Sequence, residues 1–489
     1  MNYVNRSVRV IVFLLLWLPA AVGVDVTASP LEDRLRALIS GNGVERGFWG
    51  VHVEDLSSGE VLASIDADKP FVPASNQKLL TSAAALEYLG PDHRFRTILY
   101  MDGRIDGSVL RGRLIIRGSG DPTFGSRQSP DPDPLRMWAQ RLAEMGITEI
   151  RGDIVGDDSR FDGEPYAEGW DVEHVTNQAS RILGVSAGAL AYYDNVVQLR
   201  IRSSQPGREP TIMTIPTDYL DIRNELLTSN RARGIAVTPR RIIGEEALVL
   251  SGSVPRSYEG SIFMPAANPA RFALHSFATF LRGAGVEVSG ELLTSADLSE
   301  APDYDDLDPL FVRFSPPVSE IIREINKVSN NFYAEQVFRA LTNTGSADAA
   351  GRRVSAYFAR TGASNGLVSV RDGSGLSRKD LVTPKGLVDL LAYVRTRPYY
   401  DVFDASLPAG GEAETTLRFR MGNASVRAKT GSLEYVRSLS GYATLADGRE
   451  VAFSILSNQF AAPTYRIIQT IDAMVHAINA YSGEPVAVG

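Results

Sequence analysis

The stretch P73-A-S-N-Q-K-L-L-T-S-A-A-A-L-E-Y-L-G90 decides how the chain is read, because it sets a serine and a lysine three residues apart at the head of an apolar, alanine-rich helix. Residues three apart on a helix share one side, so Lys78 can approach the hydroxyl of Ser75. Serine attacks a carbonyl at neutral pH only when a base removes its proton. Lysine can be that base only where burial or cationic neighbours lower its pKa. The run from Leu79 to Leu86 supplies the burial. A Ser75 helix cap with a lysine stem snorkelling from the first turn is the structural alternative for the same pair.

Two remote segments carry residue types that such a pair needs. In K327-V-S-N-N331, Ser329 and Asn331 stand one residue apart just before a predicted helix. In a turn that spacing can aim both side chains into one cleft, the hydroxyl to relay a proton to a leaving amine and the carboxamide to bind a peptide-like substrate. An N-cap is the alternative here too. V426-R-A-K-T-G-S-L-E434 reads as an edge strand. Gly431 permits close approach of another backbone, and the N–H of Ser432 can face a developing oxyanion. Lys429 and the hydroxyl of Thr430 would attract a carboxylate; a surface hairpin lysine is the plainer reading.

The rest of the chain sets the frame. Its 489 residues are 44% hydrophobic and 22% charged, which is a globular composition with mass for two or three cores. Arg6 and Arg9 precede an apolar run from Val10 to Leu18 and then small residues, the layout of a signal peptide over residues 1–23 with cleavage after Ala21 or Gly23. There is no cysteine, which removes disulfides, a thiol nucleophile and thiolate metal sites. A net charge of -8 argues against nucleic acid as a partner. The five histidines are scattered singly, so neither a metal nor a cofactor is expected. Strand-like runs with glycine turns fill residues 95–260, read as a β-rich inserted region of two small domains, with Trp138 and Trp170 as its packing residues. Helical patterns and a final strand–strand–helix, turned at Asp447-Gly448, occupy residues 261–489.

The three segments S75-N-Q-K78, S329-N-N331 and K429-T-G431 resemble, in kind and order, the S-x-x-K, S-x-N and K-T-G motifs of penicillin-binding proteins and serine β-lactamases. The long separation of the first two, together with G118-S-G-D-P-T123, R371-D-G-S-G-L-S377 and T416-L-R-F-R420, is similar to the D-alanyl-D-alanine carboxypeptidase/endopeptidase family, peptidase family S13 of the DacB (PBP4) type. G184-V-S-A-G-A-L and P408-A-G-G-E-A-E-T-T-L417 depart from that family's wording.

The resemblance implies an α+β fold: a β-lactamase/DD-peptidase-like transpeptidase domain, an antiparallel sheet flanked by helices, formed by residues 24–94 and 261–489 with the β-rich domains inserted between its first two motifs. It implies that Ser75 is acylated, that Lys78 is its base, that Ser329 relays a proton, that Asn331 binds substrate, and that Lys429 and Thr430 hold a carboxylate. The N–H groups of Ser75 and Ser432 would form the oxyanion hole, and Asp157, with Asp158 as competitor, would face the amino end of a stem peptide. The implied partners are peptidoglycan stem peptides and cross-links, with β-lactams as covalent inhibitors, in the periplasm. Peripheral membrane contact is compatible with this, and no oligomeric state is implied. A serine β-lactamase is the rival enzyme, disfavoured by the long insertion. A catalytically weak penicillin-binding scaffold is the other rival, disfavoured by the intact triplet.

Overall fold

The strand Glu450–Asn458 is apolar on both faces and is buried along almost its whole length. Val451, Phe453 and Ile455 belong to one core and Ala452 and Leu456 to another, the period-two division expected of a central strand covered on both sides. It is the middle strand of a five-stranded sheet in the order Val426–Leu433, Val436–Thr444, Glu450–Asn458, Phe48–Asp55, Val61–Ile65. Every pair in that sheet is antiparallel. The hairpin at Asp447-Gly448 is present, with Thr444 opposite Glu450.

These elements come from a computed structural model that describes residues 29–41, 43–171, 186–241, 247–363 and 368–483. The expected leader at residues 1–23 and the first two residues of the 184–197 segment lie outside the described residues. The first and last helices, Pro30–Gly41 and Thr464–Asn479, contribute Leu31, Leu35, Ile467 and Ile471 to the core on one face. On the other face lie Gln77–Tyr88, Val318–Lys327, Asn331–Ala340, Ala347–Ala359 and Pro384–Arg395, joined in a second core. Thr383 caps the last of these, accepting from the N–H of Gly386, and Pro384 opens it. The architecture is α+β, as the sequence implies. Among the described residues no helix is long and apolar enough to cross a membrane.

The β-rich insert differs in extent from the sequence reading. Arg96–Asp106 and Val109–Arg117 form an antiparallel hairpin, and Pro309–Phe314 pairs with the first of them. Glu287–Val288 and Leu292–Thr294 run parallel to Glu149–Arg151 and Ile154–Asp157 in the same sheet. The helix Pro269–Gly283 buries Phe272, Leu274 and Phe277 in the core that holds Leu99, Leu114 and Trp138. The expected boundary at residue 260 therefore falls inside the insert, whose pairing continues to residue 314. A boundary set by turn-rich texture cannot register three short strands returning to a sheet begun at residue 96. Two three-stranded sheets complete the insert.

Gly50, on the strand Phe48–Asp55, is where that sheet meets the helix Pro384–Arg395. A Cβ built on it would lie 2.5 Å from Phe71 and 2.6 Å from Pro384, both rigid rings. Replacing Gly50 with Ala should therefore cost about 1–3 kcal/mol through overpacking, read as a lower thermal midpoint; an unchanged midpoint would mean that this seam is soft.

Candidate active site

Ala74–Asn76 forms one turn of 3-10 helix that runs straight into Gln77–Tyr88. No side chain caps this junction, so the capping alternative for Ser75 is not realised. Asn76 instead faces the sheet: its Nδ2 donates to the carbonyl of Lys429 at 2.7 Å, and its Oδ1 accepts from Ser440 at 2.7 Å. Ser438 donates to the carbonyl of Pro73 at 2.7 Å. The turn is thus fastened to the strands Val426–Leu433 and Val436–Thr444. Gly431 makes the approach possible, because a Cβ there would sit 2.8 Å from the carbonyl of Pro73 and 3.1 Å from the nitrogen of Ser75. Ala74 takes a left-handed φ of 48°, strain of about 1–3 kcal/mol that the surrounding contacts must hold.

Lys78 is completely buried. Its Nζ lies 3.0 Å from Ser75 Oγ and donates to Asn331 Oδ1 and to the carbonyl of Ser374, each at 2.5 Å. Burial lowers its pKa to about 7, against the pull of Asp372, Glu335 and Asp380. A neutral amine has two N–H bonds and one lone pair. Asn331 Oδ1 and the Ser374 carbonyl can only accept, so they take the two protons and leave the lone pair to the Ser75 hydroxyl. Such an arrangement is able to work as a general base beside a nucleophile.

Asn330 caps the helix Asn331–Ala340 by accepting from the N–H of Tyr333, so the capping role falls on neither Ser329 nor Asn331. Ser329, at φ 66°, receives a hydrogen bond from Lys429 Nζ at 2.9 Å. Lys429 also donates to the carbonyl of Thr430 and is fully buried. Burial, reinforced by repulsion from Lys78, holds its pKa well below the usual lysine range. Val426–Leu433 is the edge strand that the sequence implies, with Thr430 partly exposed and Ser432 exposed beside a groove.

The three segments are therefore brought together: Ser75 and Lys78 join Asn331, and Lys429 joins Ser329. Asp157 is held elsewhere. Its carboxylate accepts from Ser159 Oγ at 2.6 Å, from Tyr304 and from Ser295, with Arg117 at 3.7 Å. Burial would raise its pKa, but these hydrogen bonds prevail and hold it low. A different acid of the insert, Asp171, lines a groove of about 1100 Å³ with Arg378, Ser432 and Tyr435. Asp171 accepts from Arg378 Nε at 3.1 Å.

Other positions at the site were not singled out as residues from the sequence, although Asp372 and Ser374 lie in the R371-D-G-S-G-L-S377 stretch. Asp372 accepts from Gly375 N, Ser374 Oγ, Leu376 N and Trp170 Nε1, and so shapes the loop whose Ser374 carbonyl receives Lys78. Burial and the charge of Asp372 raise the Asp380 pKa well above its ordinary value. Glu335 accepts from Gly373 N and from buried Arg339, bracing the same loop. Trp138 packs within the insert as expected, but Trp170 does not: it lies against Ala74, Leu376, Leu433 and Val436 at the cleft. The G-W pair at residues 169–170 was the available hint, since an isolated indole in a glycine- and proline-rich loop has little core of its own to join.

The model of the D-Ala-D-Ala carboxypeptidase 3 (S13) family matches residues 31–479. A D-alanyl-D-alanine carboxypeptidase of Actinomadura sp. (strain R39) is 30% identical over 477 residues, covering 94% of this chain and 86% of that one. The crystal structure of penicillin binding protein 4 (dacB) from Haemophilus influenzae superposes with a TM-score of 0.78 at 24% identity, over 91% of this chain and 99% of that one. The same protein complexed with a novel β-lactam gives a TM-score of 0.74 at 23% identity, over 92% and 100%.

With Lys78 titrating near pH 7, the rate at which an acylating reagent labels Ser75 should climb with pH as the amine loses its proton. The slope should approach about tenfold per pH unit below the pKa and flatten above it. Labelling followed by intact-protein mass from pH 5 to pH 9 measures this, and a flat profile would rule out a base of that pKa.

Proposed function

The chain belongs to the D-Ala-D-Ala carboxypeptidase 3 (S13) family, and on that premise we propose that Ser75 and Lys78 are the nucleophile and base with which it hydrolyses D-alanyl peptide bonds of peptidoglycan. It is a serine peptidase of the D-alanyl-D-alanine carboxypeptidase and penicillin-binding kind. The observation that carries the assignment of roles is the completely buried Lys78 amine, with its pKa near 7, at 3.0 Å from the Ser75 hydroxyl.

In the reaction, Ser75 Oγ attacks the carbonyl carbon of a D-alanyl peptide bond while Lys78 takes the hydroxyl proton. The N–H groups of Ser75 and Ser432 receive the negative charge of the tetrahedral oxygen. Collapse breaks the C–N bond, and the proton that Lys78 took from Ser75 is passed on to the departing amine by way of the Ser329 hydroxyl, which Lys429 Nζ holds in place from 2.9 Å, so that Lys78 is neutral again. Asn331 orients the substrate amide and Lys78 together. Thr430, beside Gly431, binds the carboxylate next to the scissile bond. Water then attacks the ester with Lys78 again as base, releasing the acid and free Ser75.

A terminal D-alanine as leaving group gives carboxypeptidase activity, and a cross-linked diamino acid gives endopeptidase activity. A β-lactam presents a strained cyclic amide whose leaving nitrogen stays tethered after ring opening, which supports its role as a covalent inhibitor on Ser75. For the amino end of the stem peptide, Asp171 is better placed than Asp157, because it lines the groove that begins at Ser432. The apolar segment behind Arg6 and Arg9 and the absence of cysteine support export to the periplasm, where this substrate lies.

Ser75→Ala should lower D-alanine release from a D-Ala-D-Ala peptide by about 10⁴-fold or more and abolish the penicillin adduct in intact-protein mass spectra. Undiminished hydrolysis, or an adduct on another side chain, would overturn the assignment.

A further inference from the structure

Two grooves meet at Ser432, and they differ in what they can hold. One runs past Asp171 and Arg378. The other, of about 960 Å³, is lined by Val328, Asn330 and Thr430 at its inner end. Val328 and Asn330 flank Ser329, the residue that delivers a proton to the departing nitrogen, so this second groove opens on the leaving-group side of the scissile bond. Pockets of about 300–1,000 Å³ suit ligands of drug size. A single alanine, with six heavy atoms, would leave most of this one empty.

The outer wall of the groove is formed by the segment Thr416 to Arg420. That wall is anchored on both sides: Thr416 N donates to the carbonyl of Lys327 at 3.0 Å, Leu417 is fully buried, and Arg420 pairs with Asp472 at 2.5 Å. Between these anchors Arg418 and Phe419 project outward. Phe419 is 87% exposed, and the Arg418 guanidinium stands 4.6 Å from its ring centroid. Arg127, on the same groove, is already matched by Asp194 at 2.8 Å. Among the described residues no carboxylate pairs with Arg418, and the hydrogen bonds of Arg437 go to the neutral oxygens of Leu433, Val436 and Thr464. Two cations thus face the groove against one acid, exposed Glu414. An exposed aromatic face beside a guanidinium that no carboxylate pairs suits a ligand with both apolar chain and carboxylate.

We propose that this groove is a subsite for an anionic peptide attached to the leaving amine, with Arg418 and Phe419 as the specificity-determining pair that favours cutting of cross-links over release of single D-alanine. The proposal rests on the acyl-enzyme reading above and adds a substrate preference to it. The bond broken is the same C–N bond, and the proton from Ser329 goes to the side-chain amine of the acceptor stem.

The test compares the full chain with Arg418→Glu and Phe419→Ala on two substrates, a purified cross-linked muropeptide dimer and a monomeric D-Ala-D-Ala stem peptide, with the rate of acylation by penicillin as a check on the fold. The expected result is a fall in kcat/KM for the dimer of about tenfold, the worth of one charge-assisted hydrogen bond, carried mainly by KM. Monomer hydrolysis and penicillin acylation should stay at wild-type rates. Equal losses on both substrates, no loss on either, or a wild type that releases D-alanine without cutting the dimer would each overturn the subsite while leaving the reaction intact. A wild type that cuts neither substrate would overturn both.

Discussion

The burial of the Lys78 amine is the constraint around which the rest of the molecule is arranged. An ammonium group removed from water costs several kcal/mol unless it is paired, or it gives up its proton. Among the described residues no carboxylate touches it: Asp372, Glu335 and Asp380 act from a distance, and the direct partners are a serine hydroxyl, an amide oxygen and a carbonyl. That set satisfies a neutral amine, so deprotonation is the cheaper state. Lys429, buried on the other side of the cleft, has its own pKa lowered by burial and by repulsion from Lys78.

The arrangement is held by residues that do no chemistry. Asn76 and Ser438 fasten the serine turn to the sheet, while Asp372, with Glu335 bracing the same loop, fixes the Ser374 carbonyl. Trp170 belongs in sequence to the insert yet donates to Asp372 at 2.6 Å, so a segment outside the catalytic sheet takes part in placing the base. The insert is more than a spacer between two motifs.

What could be read from the sequence follows a physical division. The helix at Gln77–Tyr88, the cap at Thr383 and the hairpin at Asp447-Gly448 depend on residues a few positions apart, and each stands where local pattern puts it. The Ser75–Lys78 contact is likewise one helical turn. Residues set by long-range pairing were less legible. The insert ends at residue 314 because short strands return to a distant sheet, and Trp170 leaves the insert core for a cleft built from residues near 74, 376 and 436. Choosing between the acids of the insert required knowing which of them sits in a closed network, as Asp157 does, and which lines a groove, as Asp171 does. Neighbouring letters do not carry that difference.

The Asn76–Lys429 hydrogen bond spans 353 positions of the chain. A contact of that separation pays its loop-closure entropy late, after most of the polypeptide has found its place. The serine and its amine are made early on the ribosome, yet the sheet that their turn is fastened to is not complete until the strands beyond residue 425 arrive. A peptidase built this way is latent by construction: a nascent or truncated chain carries Ser75 and Lys78 without the sheet that positions them.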